Sequence, residues 1–301
     1  MSAEKVEFKT LDGIVLRGHL YPAKQKGPAV IMGSGFNCVK EMFTKRVAVA
    51  FQKQNITAFA YDPRSLGESD GLPRNEFDPA RMAEDYSDAL TFLAKHDVVD
   101  STQVGFWGMS FSGPIALAAA AMDARAAFVI ACCPWYNYFT KERVPEILDR
   151  VIKDRVARLN GSDPSTETCW TYTGSPAFNV PVAESRKAFK LCEANMDTAP
   201  HYKGINQITV ETLGALARWS PDPLIDTMLT TPVMMIVPER DELAAVPHQI
   251  QLFERLKGPK RLHVAHGRDH FDLLAGPGLQ ARQKLQVDFI RDAVRAGRAR
   301  L

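Results

Sequence analysis

The stretch VGFWGMSFSGPIAL, Val104 to Leu117, limits the possible folds more than any other. An apolar run that suits a strand ends in Gly108-Met109-Ser110, turns on small residues and opens into an alanine-rich helix. A serine at so sharp a turn has strained backbone angles, so its neighbours must be small, and Gly108, Ser112 and Gly113 meet that need. The pattern is a nucleophile elbow, G-x-S-x-G, with Ser112 in place of the second glycine. The turn also puts Ser110 at a helix N-terminus, where free N–H groups and the helix dipole favour developing negative charge. The bland reading is a Ser/Gly turn without chemistry; the strand before it and the helix after it weigh against that.

The rest of the chain agrees with such an elbow. VEFKT and VLRGHLYP flank Leu11-Asp12-Gly13 as an antiparallel hairpin. PAVIMGSG, ITAFAYDPRS, AAFVIACCP, TPVMMIVPE and KRLHVAHG suit strands. Between them VAVAFQKQ, ARMAEDYSDALTFLAKH, HQIQLFERLK and ARQKLQVDFIRDAVRA have helical apolar spacing. This alternation predicts an α/β fold, a mostly parallel twisted sheet with helices on both faces. It breaks between Trp135 and Thr230, where VPEILDRVIKDRVARL, VAESRKAFKLCEAN and QITVETLGALARW show helical patterns and no convincing strand occurs. Residues 1–134 and 231–301 are therefore assigned to the core and 135–230 to a helical insertion. The insertion is rich in aromatics, and two readings stand: helices with a small core of their own, or a lid over a site at the strand C-termini. The lid is the favoured reading, with Trp135, Tyr136, Trp170 and Trp219 lining the substrate pocket.

Composition excludes several classes. The 301 residues fit one large α/β domain or two small ones, with 37 Lys+Arg against 35 Asp+Glu and no basic stripe, so nucleic acid is not an expected partner. Cys38, Cys132, Cys133, Cys169 and Cys192 are odd in number and lack framework or zinc spacing, which predicts free thiols, a reducing compartment and no metal. No cofactor is expected. The charged N-terminus shows no signal peptide, and no apolar run approaches the ~18 residues of a membrane span. The expected compartment is the cytoplasm; the terminal Ala299-Arg300-Leu301 resembles a peroxisomal address and is the alternative. A homo-oligomer stays open.

A serine hydroxyl needs a base, and the base needs an acid to orient it. On this kind of elbow the chain order is Ser, acid, His. PVMMIVPERDELAAVP supplies Glu239, Asp241 and Glu242 after a late apolar run; Asp241 is the choice and the glutamates are alternatives. RLHVAHGRDHFDLL offers His263 inside the strand pattern, His266 near its end and His270 in the loop before the last helix. His270 is assigned as base, and Asp269 and Asp272 as caps. His201 falls in the insertion, with the surface as its default. Acyl transfer also needs oxyanion donors. Phe111 N–H follows the nucleophile, and GSGFNCVKE after the third strand supplies the other, with Phe36 as the choice and Asn37 as a helix-cap alternative. YDPRSLGESDG is expected to be structural, with Asp62 and Arg64 pairing locally.

GFNCVKEMF, YDPRSLGESDGLPRNEFDP, EDYSDALTFL, GFWGMSFSG and DHFDLL resemble the α/β-hydrolases of fungal polyketide gene clusters, transferases and hydrolases related to dienelactone hydrolase. The likeness runs nearly end to end and weakens between Trp135 and Thr230; where many relatives have His-Gly, this chain has Ser34-Gly35. It implies the α/β-hydrolase fold, carries the triad onto Ser110, Asp241 and His270, and implies transfer of an acyl chain from a polyketide thioester, small or on a synthase carrier domain, to an alcohol or water. Two other expectations differ in class: a small-molecule carboxylesterase or lactonase with the same triad, and a non-hydrolytic pocket, a ligand receptor or cyclising catalyst, on the same fold.

Overall fold

The computed structural model describes residues 3–196 and 198–298; the tripeptide Ala299-Arg300-Leu301 lies outside them. The first half contains β1 (Glu4–Lys9), β2 (Val15–Tyr21), β3 (Gly27–Gly33), α1 (Thr44–Lys53), β4 (Thr57–Tyr61), α2 (Pro79–Leu93), β5 (Val99–Met109), α3 (Ser112–Met122) and β6 (Val129–Cys132). There follow α4 (Val144–Leu159), β7 (Thr166–Thr168), α5 (Val182–Met196), β8 (Gln207–Thr209), α6 (Val210–Arg218) and α7 (Asp222–Met228). The chain then returns to the sheet with β9 (Val233–Pro238), α8 (Val246–Arg255), β10 (Lys260–Ala265) and α9 (Leu279–Arg298).

Among the described residues the main sheet has eight strands in the order β1-β2-β4-β3-β5-β6-β9-β10. The β1–β2 hairpin and the β2–β4 pair are antiparallel, and every later pairing is parallel. Register sets Gly33 beside Gly108, Met109 beside Cys132 and Pro238 beside Ala265. The loops after β3, β5, β6, β9 and β10 therefore leave the sheet at one edge, where open α/β sheets bind ligands. One apolar core brings α1 and α9 against one face, and a second holds α2 and α3 against the other. Helix α3 has no polar face, and all of Ser112–Ala121 is buried, as a helix apolar all round must be.

Residues 135–230 contribute aromatics to the α2/α3-side core rather than forming a separate one. Here the structure corrects one expectation: the segment does contain strands. β7 and β8 pair antiparallel, Thr166 opposite Thr209, and QITVETLGALARW is not one helix. The Thr209 side chain accepts from Thr212 N–H, which ends the strand and caps α6. Strands of three residues are too short for their periodicity to show in sequence. All five cysteines are free; Cys192 alone is only partly buried. Among the described residues no helix is long and apolar enough to cross a membrane.

Candidate active site

Ser110 has φ +55°, a left-handed conformation that costs a residue with a side chain on the order of 1–3 kcal/mol. Backbone bonds hold it there: Ser110 N–H donates to Cys132 O (2.8 Å), and Ser110 O accepts from Gly113 N–H and Trp135 N–H, each 3.0 Å. A Cβ at Gly108 would lie 2.0 Å from Ser112 O, so only glycine permits this turn. Ser112 does more than stay small, since its hydroxyl donates to Ser34 O in the loop after β3. That bond ties the elbow to the loop expected to supply an oxyanion donor.

The loops after β9 and β10 bring Asp241 and His270 to the serine. His270 Nε2 lies 2.8 Å from Ser110 Oγ, and His270 Nδ1 lies 2.8 Å from Asp241 Oδ2. A carboxylate accepts only, so Nδ1 carries the hydrogen and Nε2 accepts from the serine hydroxyl. The three residues are 2–5 % exposed. Asp241 is held in turn: Oδ1 accepts from Leu243 and Ala244 N–H (3.1 and 2.8 Å), and Oδ2 also accepts from Gln249 Nε2 at 2.9 Å. Gln249 escaped the sequence reading; its only signal there is a glutamine among apolar residues of α8, and it is fully buried. The alternatives pair with each other instead. His266 Nδ1 is 3.0 Å from Glu239 Oε1 on the surface, Glu242 is exposed and His263 lies in β10. Asp269 and Asp272 cap the His270 turn reciprocally: Asp269 accepts from Phe271 and Asp272 N–H, and Asp272 accepts from Asp269 N–H. His201 is exposed, 3.8 Å from Glu41.

Cys133 is a second residue that sequence reasoning missed. Its sulfur, a ring nitrogen of His270 and a carboxylate oxygen of Asp241 lie within 4.8 Å of one another. Burial, with the Asp241 charge adding to it, pushes the thiol well above its ordinary value, so it stays protonated and is no rival nucleophile. A metal there would compete for the atoms that join Asp241 to His270, and the donor set is committed to those hydrogen bonds.

The backbone N–H groups of Phe36 and Phe111 donate to no protein acceptor among the described residues. The loop carrying Phe36 is pinned at both ends by the core. Ser112 holds Ser34, while Lys40 N–H donates to Asp62 Oδ1 and buried Lys40 Nζ reaches Asp62 (2.7 Å), Glu68 (2.6 Å) and Glu41 (3.1 Å). The Lys40 hydrogen bond is the main cause that holds the Glu68 carboxyl down at about 2. The expected Asp62–Arg64 pair does not form: Asp62 turns inward to Lys40, and Arg64 bridges Asp12 and Asp85, both at 2.9 Å or closer. YDPRS thereby anchors the Phe36 loop as well as its own turn.

The Phe36 ring stands among Phe77, Phe111, Trp135, Trp170 and Phe178, with centroids 5.0–6.5 Å away. Trp135 is thus beside the elbow, its N–H bonded to Ser110 O, Trp170 packs behind it, and Tyr138 joins them at 5.0 Å from Trp135. Tyr136 and Trp219 make no ring contact with this cluster among the described residues. Tyr136 is buried, which with the neighbouring Asp222 pushes its phenol up to about 12, and Trp219 ends α6 partly buried. Phe77 and Phe178, absent from the expected lining, stand against Phe36 as well.

The family model described as serine aminopeptidase, S33, matches residues 25–274. A thiohydrolase of Eupenicillium brefeldianum is 41 % identical over 96 % of this chain and 94 % of its own. The polyketide transferase claH of Penicillium crustosum is 37 % identical over 97 % of each chain. The solved structure of DcsB with its substrate analogue superposes with a TM-score of 0.92 at 35 % identity, covering 97 % of this chain and 99 % of that one. The α/β-hydrolase GrgF of Penicillium sp. sh18 superposes at 0.86 with 34 % identity, covering 98 % and 99 %. The chain is an enzyme of the α/β-hydrolase family, in the group of fungal proteins named polyketide transferases and thiohydrolases.

Proposed function

We propose that the protein transfers an acyl chain from a polyketide-like thioester or ester to an alcohol or water through an acyl-enzyme on Ser110. One observation carries this reading: the unbroken run of hydrogen bonds from Ser110 through His270 to Asp241, beside two N–H groups without a partner. Ser110 Oγ attacks the acyl carbonyl carbon while His270 Nε2 takes its proton. Asp241 holds the imidazole in the required tautomer and stabilises the imidazolium, its own charge kept in place by four hydrogen bonds. The oxygen that becomes negative lies between Phe36 N–H and Phe111 N–H. Collapse breaks the C–S bond, and His270 returns the proton to the leaving sulfur. The acyl-enzyme is then attacked by an alcohol or water, His270 again acting as base and then as acid.

The buried aromatics near the elbow suit an apolar chain, and residues 135–230 act as the lid of the favoured reading, which the 5 % exposure of Ser110 supports. The names of the thiohydrolase and polyketide transferase relatives support a thioester donor. The test is incubation with an acyl N-acetylcysteamine thioester. Wild type gains one acyl mass and releases thiol, and Ser110→Ala does neither. Thiol release at the wild-type rate by Ser110→Ala would overturn the proposal.

A further inference from the structure

The Phe36 loop is fixed at Ser34 and Lys40 by the sheet core, but its apex is fixed from the other side. Asn37 follows Phe36, is buried, and has φ +52°, a conformation that asparagine tolerates better than most residues. Its side chain is spent entirely on residues 135–230. Oδ1 accepts from Asn206 N–H at 2.7 Å, and Nδ2 donates to Gln207 O at 3.0 Å and Tyr202 Oη at 2.8 Å. Asn206, itself at φ +66°, passes the connection on. Its Oδ1 accepts from Trp170 N–H (2.8 Å) and its Nδ2 donates to Trp170 O (2.9 Å). Two buried asparagines thus join the backbone beside the unpartnered Phe36 N–H to the backbone of a tryptophan in the aromatic wall. Tyr202 Oη donates onward to Asn75 Oδ1 (3.1 Å), which closes the clamp on a core loop.

We propose that Asn37 is a positioning residue: it makes the orientation of the Phe36 N–H depend on residues 135–230 being docked, so that the oxyanion site is complete only beneath a seated lid. This rests on the acyl-enzyme reading above. The physical argument is that an oxyanion donor works only when aimed at the place where charge develops, and one lost donor costs about 10²–10³ in kcat. Without the Asn37 bonds the apex keeps ring packing and the Cys38 N–H bond to Gly35 O, but no polar tether to the wall fixes the direction of the Phe36 N–H. A packing role alone would make no such demand on Phe36.

The decisive variant is Asn37→Gly, which accepts the left-handed backbone and deletes the clamp. The substrate is a short acetate ester, too small to need the aromatic wall. The expected result is a fall in kcat of about tenfold to hundredfold, KM within about threefold of wild type, and an equal fall in the rate at which a fluorophosphonate labels Ser110. Tyr202→Phe, which removes one acceptor of Nδ2 and keeps the ring, shifts kcat the same way by a smaller factor. Asp154→Ala is the control: it removes the bond that Ser165 N–H donates to Asp154 Oδ1 within the insertion, lowers the melting temperature and leaves kcat unchanged. Wild-type kcat and labelling in Asn37→Gly, whatever its melting temperature, would overturn the proposal; so would a kcat loss in Asp154→Ala equal to that of Asn37→Gly. If Asn37→Gly fails to fold, Tyr202→Phe decides, and unchanged kcat there overturns it. Failure of wild type to label at Ser110 would strike the acyl-enzyme reading instead.

Discussion

Ser110 and Trp170, both members of the proposed site, are held in place in different ways. Ser110 is placed by its neighbours: a strand, a turn of small residues, a helix, and backbone bonds to Cys132, Gly113 and Trp135. Trp170 is placed at long range, through the side chain of Asn206, 36 residues on, and by the rings of Phe36, Trp135 and Phe178. The first arrangement is rigid because the sheet enforces it. The second depends on polar partners and ring contacts that form only once distant segments have come together. This division suits the proposed lid, which would admit a substrate while the chemistry beneath stays fixed.

Removing the tryptophan tests the long-range half most severely. Trp170→Ala in a buried cluster is expected to cost about 3–5 kcal/mol of stability, read as a shifted denaturant midpoint. A cost below about 1 kcal/mol would mean that residues 135–230 are not held by their aromatics. Gln249→Leu tests the sheet-borne half. It keeps the volume and removes one hydrogen bond to a charged acid, worth about 1.5–3 kcal/mol, so kcat should fall roughly tenfold to hundredfold with KM little changed. A change confined to KM would remove Gln249 from the orientation of Asp241.

Much of the first half was legible in sequence because its signals are local. The elbow is six contiguous residues, and Asp241 and His270 follow apolar strands in the required order. What sequence could not show is which polar groups meet across the chain. Gln249 resembles any helix glutamine, Lys40 any loop lysine, and Asn37 any turn asparagine; their roles come from partners 8, 22 and 169 residues away. Asp62 and Arg64 illustrate the same limit: their spacing permits a local pair, and burial of Lys40 draws Asp62 elsewhere. In residues 135–230 helical periodicity found α4 and α5, whereas the short β7–β8 pair and the placing of Phe178 at Phe36 depend on tertiary packing.

A pH titration sharpens the comparison at the anchor of the Phe36 loop. The Glu68 carboxyl lies at about 2 in the folded protein, chiefly through the Lys40 hydrogen bond, below its ordinary 4.5. Its contribution is therefore fully present above the unfolded value and is lost as pH falls through the folded one. The melting temperature of wild type should exceed that of Glu68→Gln at pH 6, and the gap should close between about pH 4.5 and 2. A gap independent of pH would contradict a charge-based anchor. The smallest expected effect is a gain: the buried Tyr138 hydroxyl has no hydrogen-bond partner among the described residues. Tyr138→Phe should raise stability by about 1 kcal/mol, and a loss of similar size would mean that the hydroxyl is satisfied in solution.

The central claim is that Ser110 is the attacking atom's residue and that His270 activates it. Its most direct test is peptide mapping after exposure to a fluorophosphonate, comparing wild type, Ser110→Ala and His270→Ala. A single adduct on the peptide containing Ser110, absent from Ser110→Ala and formed on the order of 10³-fold more slowly or not at all in His270→Ala, is the predicted result. An adduct at another residue, or labelling of His270→Ala at the wild-type rate, would contradict it.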